Sequence, residues 1–282
     1  MKLITFKQFI FLSRPILFPL LILCLFVALL FSTSLTNIGV THIIYIILLS
    51  FLFPFFIFAI NDYYDYDSDI KNKRKNNILQ GMVFKNISEL KKAILLYDLI
   101  IFLILFLYSL LFNNLVHTLL LLLLFFVCFF YSAKPLRFKE IPFIDSISNG
   151  VIVFLVFALM YTLFNNFFTI PFKVIAISIS IMSYHLIAAQ LDVRSDLSAK
   201  HKTSATFINN RFLVYLLCLF YNLPLLFINL GSIFKYLFFI NLFLIIYIYF
   251  NKNFNKKRLL ILFLISWALL TIVYILKSIL LF

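Results

Sequence analysis

The stretch Asn61-Asp-Tyr-Tyr-Asp-Tyr-Asp-Ser-Asp69 follows directly on the apolar run IIYIILLSFLFPFFIFAI, residues 43–60, and sets four carboxylates at the end of a segment long enough to cross a bilayer. So much negative charge at a hydrocarbon boundary is costly unless something compensates it. The rest of the 282-residue chain is 65% hydrophobic and 12% charged, with 39 phenylalanines, well outside the composition of water-soluble domains. Its mean hydropathy is +1.11. The chain reads as an all-α polytopic membrane protein.

Apolar runs of spanning length fall at about 15–33, 42–60, 93–112, 115–131, 143–165, 171–191, 212–230, 232–250 and 259–281, which predicts about nine transmembrane helices. The first run is too long for a cleavable signal peptide and has no small-residue cleavage site, so it reads as the first span. A formal charge of +14 would suit nucleic acid, but the placement of the cations argues for topology instead. With the N-terminus cytoplasmic, 21 of the 24 Lys and Arg residues fall inside and only Lys173, Lys235 and Lys277 fall outside. The expected location is a multi-pass cell-membrane protein with the N-terminus and the functional face cytoplasmic and the C-terminus outside. Cys24, Cys128 and Cys218 lie within spans and have no metal-type spacing, so they read as apolar filling. No linker interrupts the spans, and one transmembrane domain over residues 1–282 is expected.

The ten Asp and Glu residues are placed on or near the cytoplasmic face by the same reading, and six of them form two patches: Asp62, Asp65, Asp67 and Asp69 after the second span, Asp192 and Asp196 after the sixth. If the second span continues as a helix, Asp62, Asp65 and Asp69 share a face with Asn61 beside them, and Asp192 and Asp196 are one turn apart. Two carboxylates about 6 Å apart repel by roughly 3 kcal/mol at an effective dielectric of about 20. A divalent cation removes that repulsion. The donors are all oxygens, which favours magnesium over zinc. Basic residues follow each patch: Lys71, Lys73, Arg74 and Lys75 after the first, Lys200 and Lys202 after the second. Metal-binding carboxylates flanked by Lys and Arg suit a diphosphate, with the metal bridging its oxygens and the cations neutralising the remainder. The bland reading, solvated loop charges serving only topology, does not explain helical spacing twice among so few acidic residues.

On these residues the chain resembles the UbiA superfamily of intramembrane prenyltransferases. NDYYDYDSD is similar to the NDxxDxxxD motif and DVRSD to the DxxxD motif. Four stretches resemble the lycopene elongase, or carotenoid, branch: LSRP (12–15), NDYYDYDSDIKNKRKNN (61–77), YSAKPLRFKEIPFIDSISNG (131–150) and DVRSDLSAKHKTSAT (192–206). The resemblance implies a barrel of nine transmembrane helices with cytoplasmic cap loops. It further implies magnesium-dependent transfer of an isoprenyl group from an allylic prenyl diphosphate to a lipophilic acceptor, with a lipid bilayer and no nucleic acid as surroundings. Asn61, Asp62, Asp65, Asp69, Asp192 and Asp196 would then hold magnesium and diphosphate. Lys73, Arg74, Tyr131, Arg137 and Lys202 would contact the diphosphate or the cap. His185, two turns before Asp192, is a candidate proton acceptor, while His42 and His117 read as outside-loop residues and His201 as a solvated cap residue.

Three departures from the family pattern stand out. Asn76 and Asn77 replace the Arg-Pro of many quinone-pathway members, which disfavours an aromatic-acid acceptor. Lys134 sits in the YSAKPLR element, and Lys200 takes the place of the usual glycine after DxxxD, where it threatens the loop conformation that glycine permits. From a different class, an ion-coupled secondary transporter also carries membrane carboxylates, but usually near the bilayer midplane rather than at helix ends.

Overall fold

The computed structural model describes residues 3–33, 35–66, 87–198, 200–229, 235–251 and 256–280. Eleven α-helices are seen among them and no strand: α1 Phe6–Leu12, α2 Phe18–Leu30, α3 Val40–Tyr64, α4 Ile87–Leu110, α5 Leu115–Ser132, α6 Ile144–Tyr161, α7 Phe172–Ser198, α8 Ser204–Ile208, α9 Arg211–Asn222, α10 Tyr236–Phe250 and α11 Lys256–Leu280. Five described segments are long and apolar enough to cross a membrane: Val40–Tyr64, Leu90–Leu110, Leu115–Ser132, Ile144–Tyr161 and Phe172–Val193. Leu21–Leu30, Arg211–Phe227 and Tyr236–Phe250 are apolar but shorter. Apart from Leu21, which begins six residues into the run at 15–33, these helix ends fall within about four residues of the apolar runs read from the sequence, with α3, α4 and α7 extending further toward the charged loops.

The chain divides into two compact units, Met1–Leu136 with Leu159–Asn165, and Arg137–Ala158 with Asn166–Phe282. In the first, α3 is the central helix and packs against α1, α2, α4 and α5. On α4, Leu90, Ala93, Ile94, Ile101 and Leu105 are buried, while Leu95, Leu99, Leu103 and Leu107 on the opposite side are exposed. Both faces are apolar, as expected of a helix with protein on one side and lipid on the other. The N-terminal helix α1 begins with a capping box: Gln8 N–H donates to the Thr5 hydroxyl at 3.3 Å, and Thr5 N–H donates to the Gln8 side chain at 2.9 Å.

Buried polar groups tie the first unit together. His117 is fully buried in the first turn of α5, which corrects its reading as an outside-loop residue; its Nδ1 is 2.9 Å from the Leu159 carbonyl and its Nε2 is 3.1 Å from the Tyr45 hydroxyl. Asn114 donates to the Thr162 carbonyl at 2.5 Å, and Asn165 to the Ser32 carbonyl at 2.6 Å, which attaches residues 159–165 to this unit. Asp98 is a further buried acid of this unit. It sits within the Leu90–Leu110 span, is 4% exposed, and neither of its carboxyl oxygens has a hydrogen-bond partner among the described residues.

In the second unit, a core of Leu186, Ile187, Ala189, Ala205, Val214, Tyr215, Cys218, Ile245 and Ile248 joins α7, α8, α9 and α10. Lipid tails are as apolar as leucine, so van der Waals fit and interhelical hydrogen bonds must supply the association. A buried chain of amides does so: Asn222 donates to the Ser183 hydroxyl at 3.0 Å, Asn241 donates to Asn222 Oδ1 at 2.5 Å, and the Tyr184 hydroxyl donates to Asn241. The Arg211 guanidinium donates to the Ile248 and Tyr249 carbonyls at 2.9 and 2.8 Å, placing positive charge at the C-terminus of α10.

Close approach of α6 and α7 depends on Gly150. A Cβ there would lie 2.7 Å from Met182 Cγ and 3.0 Å from the Ser178 carbonyl oxygen. Gly150→Ala is expected to lower the thermal unfolding midpoint in detergent and Gly150→Leu to lower it further, with overpacking costing roughly 1–3 kcal/mol; an unchanged midpoint for Gly150→Leu would show that the two helices are not held at this separation.

Candidate functional site

In the first unit, α3 carries Asn61-Asp-Tyr-Tyr through its last turn and ends at Tyr64, with Asp65 as C-cap and its N–H bonded to the Asn61 carbonyl at 3.0 Å. Asp62 and Asp65 are therefore one turn apart, as the spacing predicts. Asp62 is only 3% exposed, and its Oδ1 accepts a hydrogen bond from Arg14 Nη2 at 3.0 Å. The same guanidinium lies over the Phe58 ring, 4.2 Å from its centroid. Arg14 reaches this position from a residue in the left-handed region, φ 50°, immediately before Pro15. Asn61 Oδ1 accepts from the Ser132 hydroxyl at 3.0 Å, and Lys91 Nζ stands 4.9 Å above the Tyr63 ring. Tyr131 is half-buried in the last turn of α5, beside Ser132. Asp67, Asp69, Lys71, Lys73, Arg74, Lys75, Asn76 and Asn77 lie outside the described residues.

In the second unit, Asp192 and Asp196 are one turn apart near the end of α7, both half-buried. Lys200 follows with φ 59°, the left-handed conformation that glycine would take with less strain. The helix end is closed by His201 N–H donating to the Asp196 carbonyl at 2.9 Å. Arg137 Nη2 pairs with Glu140 at 2.9 Å, and His201 Nδ1 meets the same carboxylate, so His201 is a bonded residue of the cap and only half-buried. Glu140 thereby joins the turn after Arg137 to the loop after Asp196. Lys202 is exposed. His185 Nε2 lies 3.7 Å from Asp145 Oδ2.

Sequence reasoning named neither Arg14, Glu140 nor Asp145 as a site residue, although all three fall in stretches that carry the family resemblance. A signal was present for two of them: an ionisable residue at the start of an apolar run, as Arg14 and Asp145 both are, is a functional candidate by default. Glu140 offered none, because its value lies in contacts to a residue 61 positions away.

The donor set suits a hard cation. The described motif residues present carboxylate and amide oxygens, and Gln190 Oε1, two residues before Asp192, is buried with no hydrogen-bond partner among the described residues. Among those residues no three of His, Cys, Asp and Glu cluster into a cage. Magnesium binds characteristically through one or two carboxylates completed by substrate phosphates, so a metal that arrives with a diphosphate fits these donors.

The fold is an all-helical one with spans of membrane-crossing length and acidic motifs at two helix ends, and the comparisons carry this further. The UbiA prenyltransferase family matches residues 17–270, and the chain belongs to that family. Among solved structures, a UbiA homolog from Archaeoglobus fulgidus bound to DMAPP and Mg2+ is 19% identical, with 96% of this chain and 98% of that chain covered and a TM-score of 0.75. The same homolog bound to GPP and Mg2+ is matched at 18% identity over the same shares, also with a TM-score of 0.75. At this identity the likeness is one of fold. Among curated proteins, none matches the chain significantly.

Left-handed geometry at a residue with a Cβ costs roughly 1–2 kcal/mol, partly offset by the greater freedom glycine has when unfolded. Lys200→Gly is therefore expected to raise the unfolding midpoint, by about 1 kcal/mol in stability. Thermal denaturation in detergent checks this, and a lower midpoint would mean that the Lys200 side chain contributes more than its backbone costs.

Proposed function

We propose that this chain transfers an isoprenyl group from an allylic prenyl diphosphate to a lipophilic acceptor within the membrane, with magnesium at the diphosphate, and that the acceptor is a carotenoid. The observation that carries the prenyl-transfer reading is the family match over residues 17–270, which includes both aspartate motifs. The A. fulgidus homolog, bound to DMAPP or GPP with Mg2+, supports the donor class and the metal. The carotenoid acceptor rests on the four stretches that resemble lycopene elongases; a quinone precursor or an archaeal ether lipid is the alternative.

In this reading, Asn61, Asp62, Asp65, Asp69, Asp192 and Asp196 would hold the metal and, through it, one diphosphate. Magnesium, when bound, would supply positive charge against that growing on the leaving group. Arg14 balances Asp62 inside its apolar helix end, so the carboxylate is kept in place at a depth where an isolated charge is costly. Lys73, Arg74, Arg137 and Lys202 supply positive charge toward the departing oxygens, and Tyr131 lines the same end. Loss of diphosphate leaves an allylic cation, which an electron-rich carbon of the acceptor attacks. Nine membrane passes forming one prenyltransferase domain over residues 1–282, with the N-terminus and the aspartate motifs cytoplasmic, complete the reading; its support is the charge asymmetry of the loops.

Purified protein in lipid nanodiscs, given magnesium and geranylgeranyl or dimethylallyl diphosphate with lycopene, a quinone precursor or a glycerol-phosphate ether lipid, is expected to release diphosphate and to prenylate lycopene. Chelation of magnesium by EDTA is expected to stop both. Asp65→Ala and Asp192→Ala should each lower turnover by about 100-fold or more at normal expression; wild-type turnover in either removes that carboxylate from the site. No prenylated product with any acceptor would favour ion-coupled transport.

A further inference from the structure

Attack of an acceptor double bond on an allylic cation creates a second cation, which must lose a proton for the reaction to end. Below the membrane surface little water is at hand to accept it, so the chain itself needs a base. On α7, His185 precedes Asp192 by seven residues, a spacing that returns to nearly the same helix face about 10 Å further along the axis, toward the middle of the span. Ile181, His185, Ala188, Asp192 and Asp196 follow this line and are all half-buried, whereas Ser183, Tyr184, Leu186 and Ile187 beside it are buried. One partly open stripe therefore runs from the second aspartate motif to His185. A diphosphate held at Asp192 would leave its prenyl carbons at that depth.

The imidazole is oriented from behind. Its Nε2 lies 3.7 Å from Asp145 Oδ2, with side-chain accessibilities of 21% for the histidine and 0% for the aspartate. Asp145 is itself fixed: Oδ2 accepts from Ser204 N–H at 2.8 Å, and Oδ1 accepts from Ser146 N–H at 2.8 Å and from the Ser204 hydroxyl. The Ser204 oxygen in turn accepts from Phe143 N–H at 2.7 Å. A carboxylate facing one ring nitrogen favours the tautomer with the hydrogen on that side and stabilises the imidazolium once it forms.

We infer that His185 takes the terminal proton of prenyl transfer, with Asp145 as its positioning residue. The inference rests on the prenyl-transfer reading and deepens it by restricting the acceptor to a compound that attacks through carbon and then gives up a C–H proton. The allylic C–O bond breaks and its electron pair leaves on diphosphate. An acceptor π pair forms the new C–C bond, and the C–H pair next to the resulting cationic carbon becomes a double bond. The proton passes to the imidazole, and the imidazolium faces the Asp145 carboxylate until it returns the proton to solvent.

The test measures diphosphate release and prenylated product separately in the purified, magnesium-loaded full chain with geranylgeranyl diphosphate and the acceptor that the wild type uses. In His185→Gln, diphosphate release is expected to stay within about threefold while coupled product falls about 100-fold, the difference appearing as the allylic alcohol or diene of a quenched cation. Asp145→Asn should move the same ratio in the same direction by a smaller factor. Equal loss of both readouts in His185→Gln, or retention of both, overturns the inference. Where His185→Gln does not accumulate as folded protein, an unchanged ratio in folded Asp145→Asn overturns it. A wild type that releases no diphosphate would instead sink the prenyl-transfer reading beneath it.

Discussion

The Arg14 guanidinium that meets Asp62 at 3.0 Å does so at the end of an almost wholly apolar helix, under the face of Phe58. A carboxylate there is too far from bulk water to be solvated and too near hydrocarbon to stand alone, and the pairing is what allows an aspartate to be kept at that depth at all. Arg14 stands immediately ahead of the first apolar segment, after a short capped helix, as a single left-handed residue before Pro15 and α2. The irregular start of the first membrane segment is thus explained by the acid it serves.

A related constraint organises the second unit with different means. Asp145 is completely buried at the beginning of α6 and is satisfied by backbone and hydroxyl donors from Ser204 and Ser146, with His185 as its nearest basic partner. Glu140 holds Arg137 and His201 together across the cap. These contacts join segments far apart in sequence: residues 137–146, the middle of α7 and the loop beyond it. They make the polar end of the unit a bonded assembly. Deeper in the membrane the Asn222, Asn241 and Tyr184 chain has a comparable role between α7, α9 and α10, where burial of apolar surface gives no preference for protein over lipid.

Much of the architecture was legible in the sequence because the bilayer imposes it. Uninterrupted apolar runs predict helices, and α3, α4, α5, α6, α7, α10 and α11 lie where those runs fall. The aspartate spacing was equally legible: residues three or four apart share a helix face wherever a helix forms, and Asp62 with Asp65, and Asp192 with Asp196, sit at such helix ends. Lys200 shows where substitution and geometry separate. The missing glycine suggested an altered loop; Lys200 adopts a left-handed conformation, and the bond from His201 N–H to the Asp196 carbonyl closes the helix beside it.

Membrane character, helix positions, the paired acids and the family follow from the sequence by itself, since each depends on composition or on spacing along one helix. Which groups those acids meet was decided by the tertiary structure: Arg14 on Asp62, Ser132 on Asn61, Asp145 behind His185, and His117 drawn from an expected loop into a buried bridge between Tyr45 and Leu159. Those pairings cross tens of residues. No local periodicity encodes them, because a buried polar group is satisfied by whichever donor the packing of other helices brings within about 3 Å.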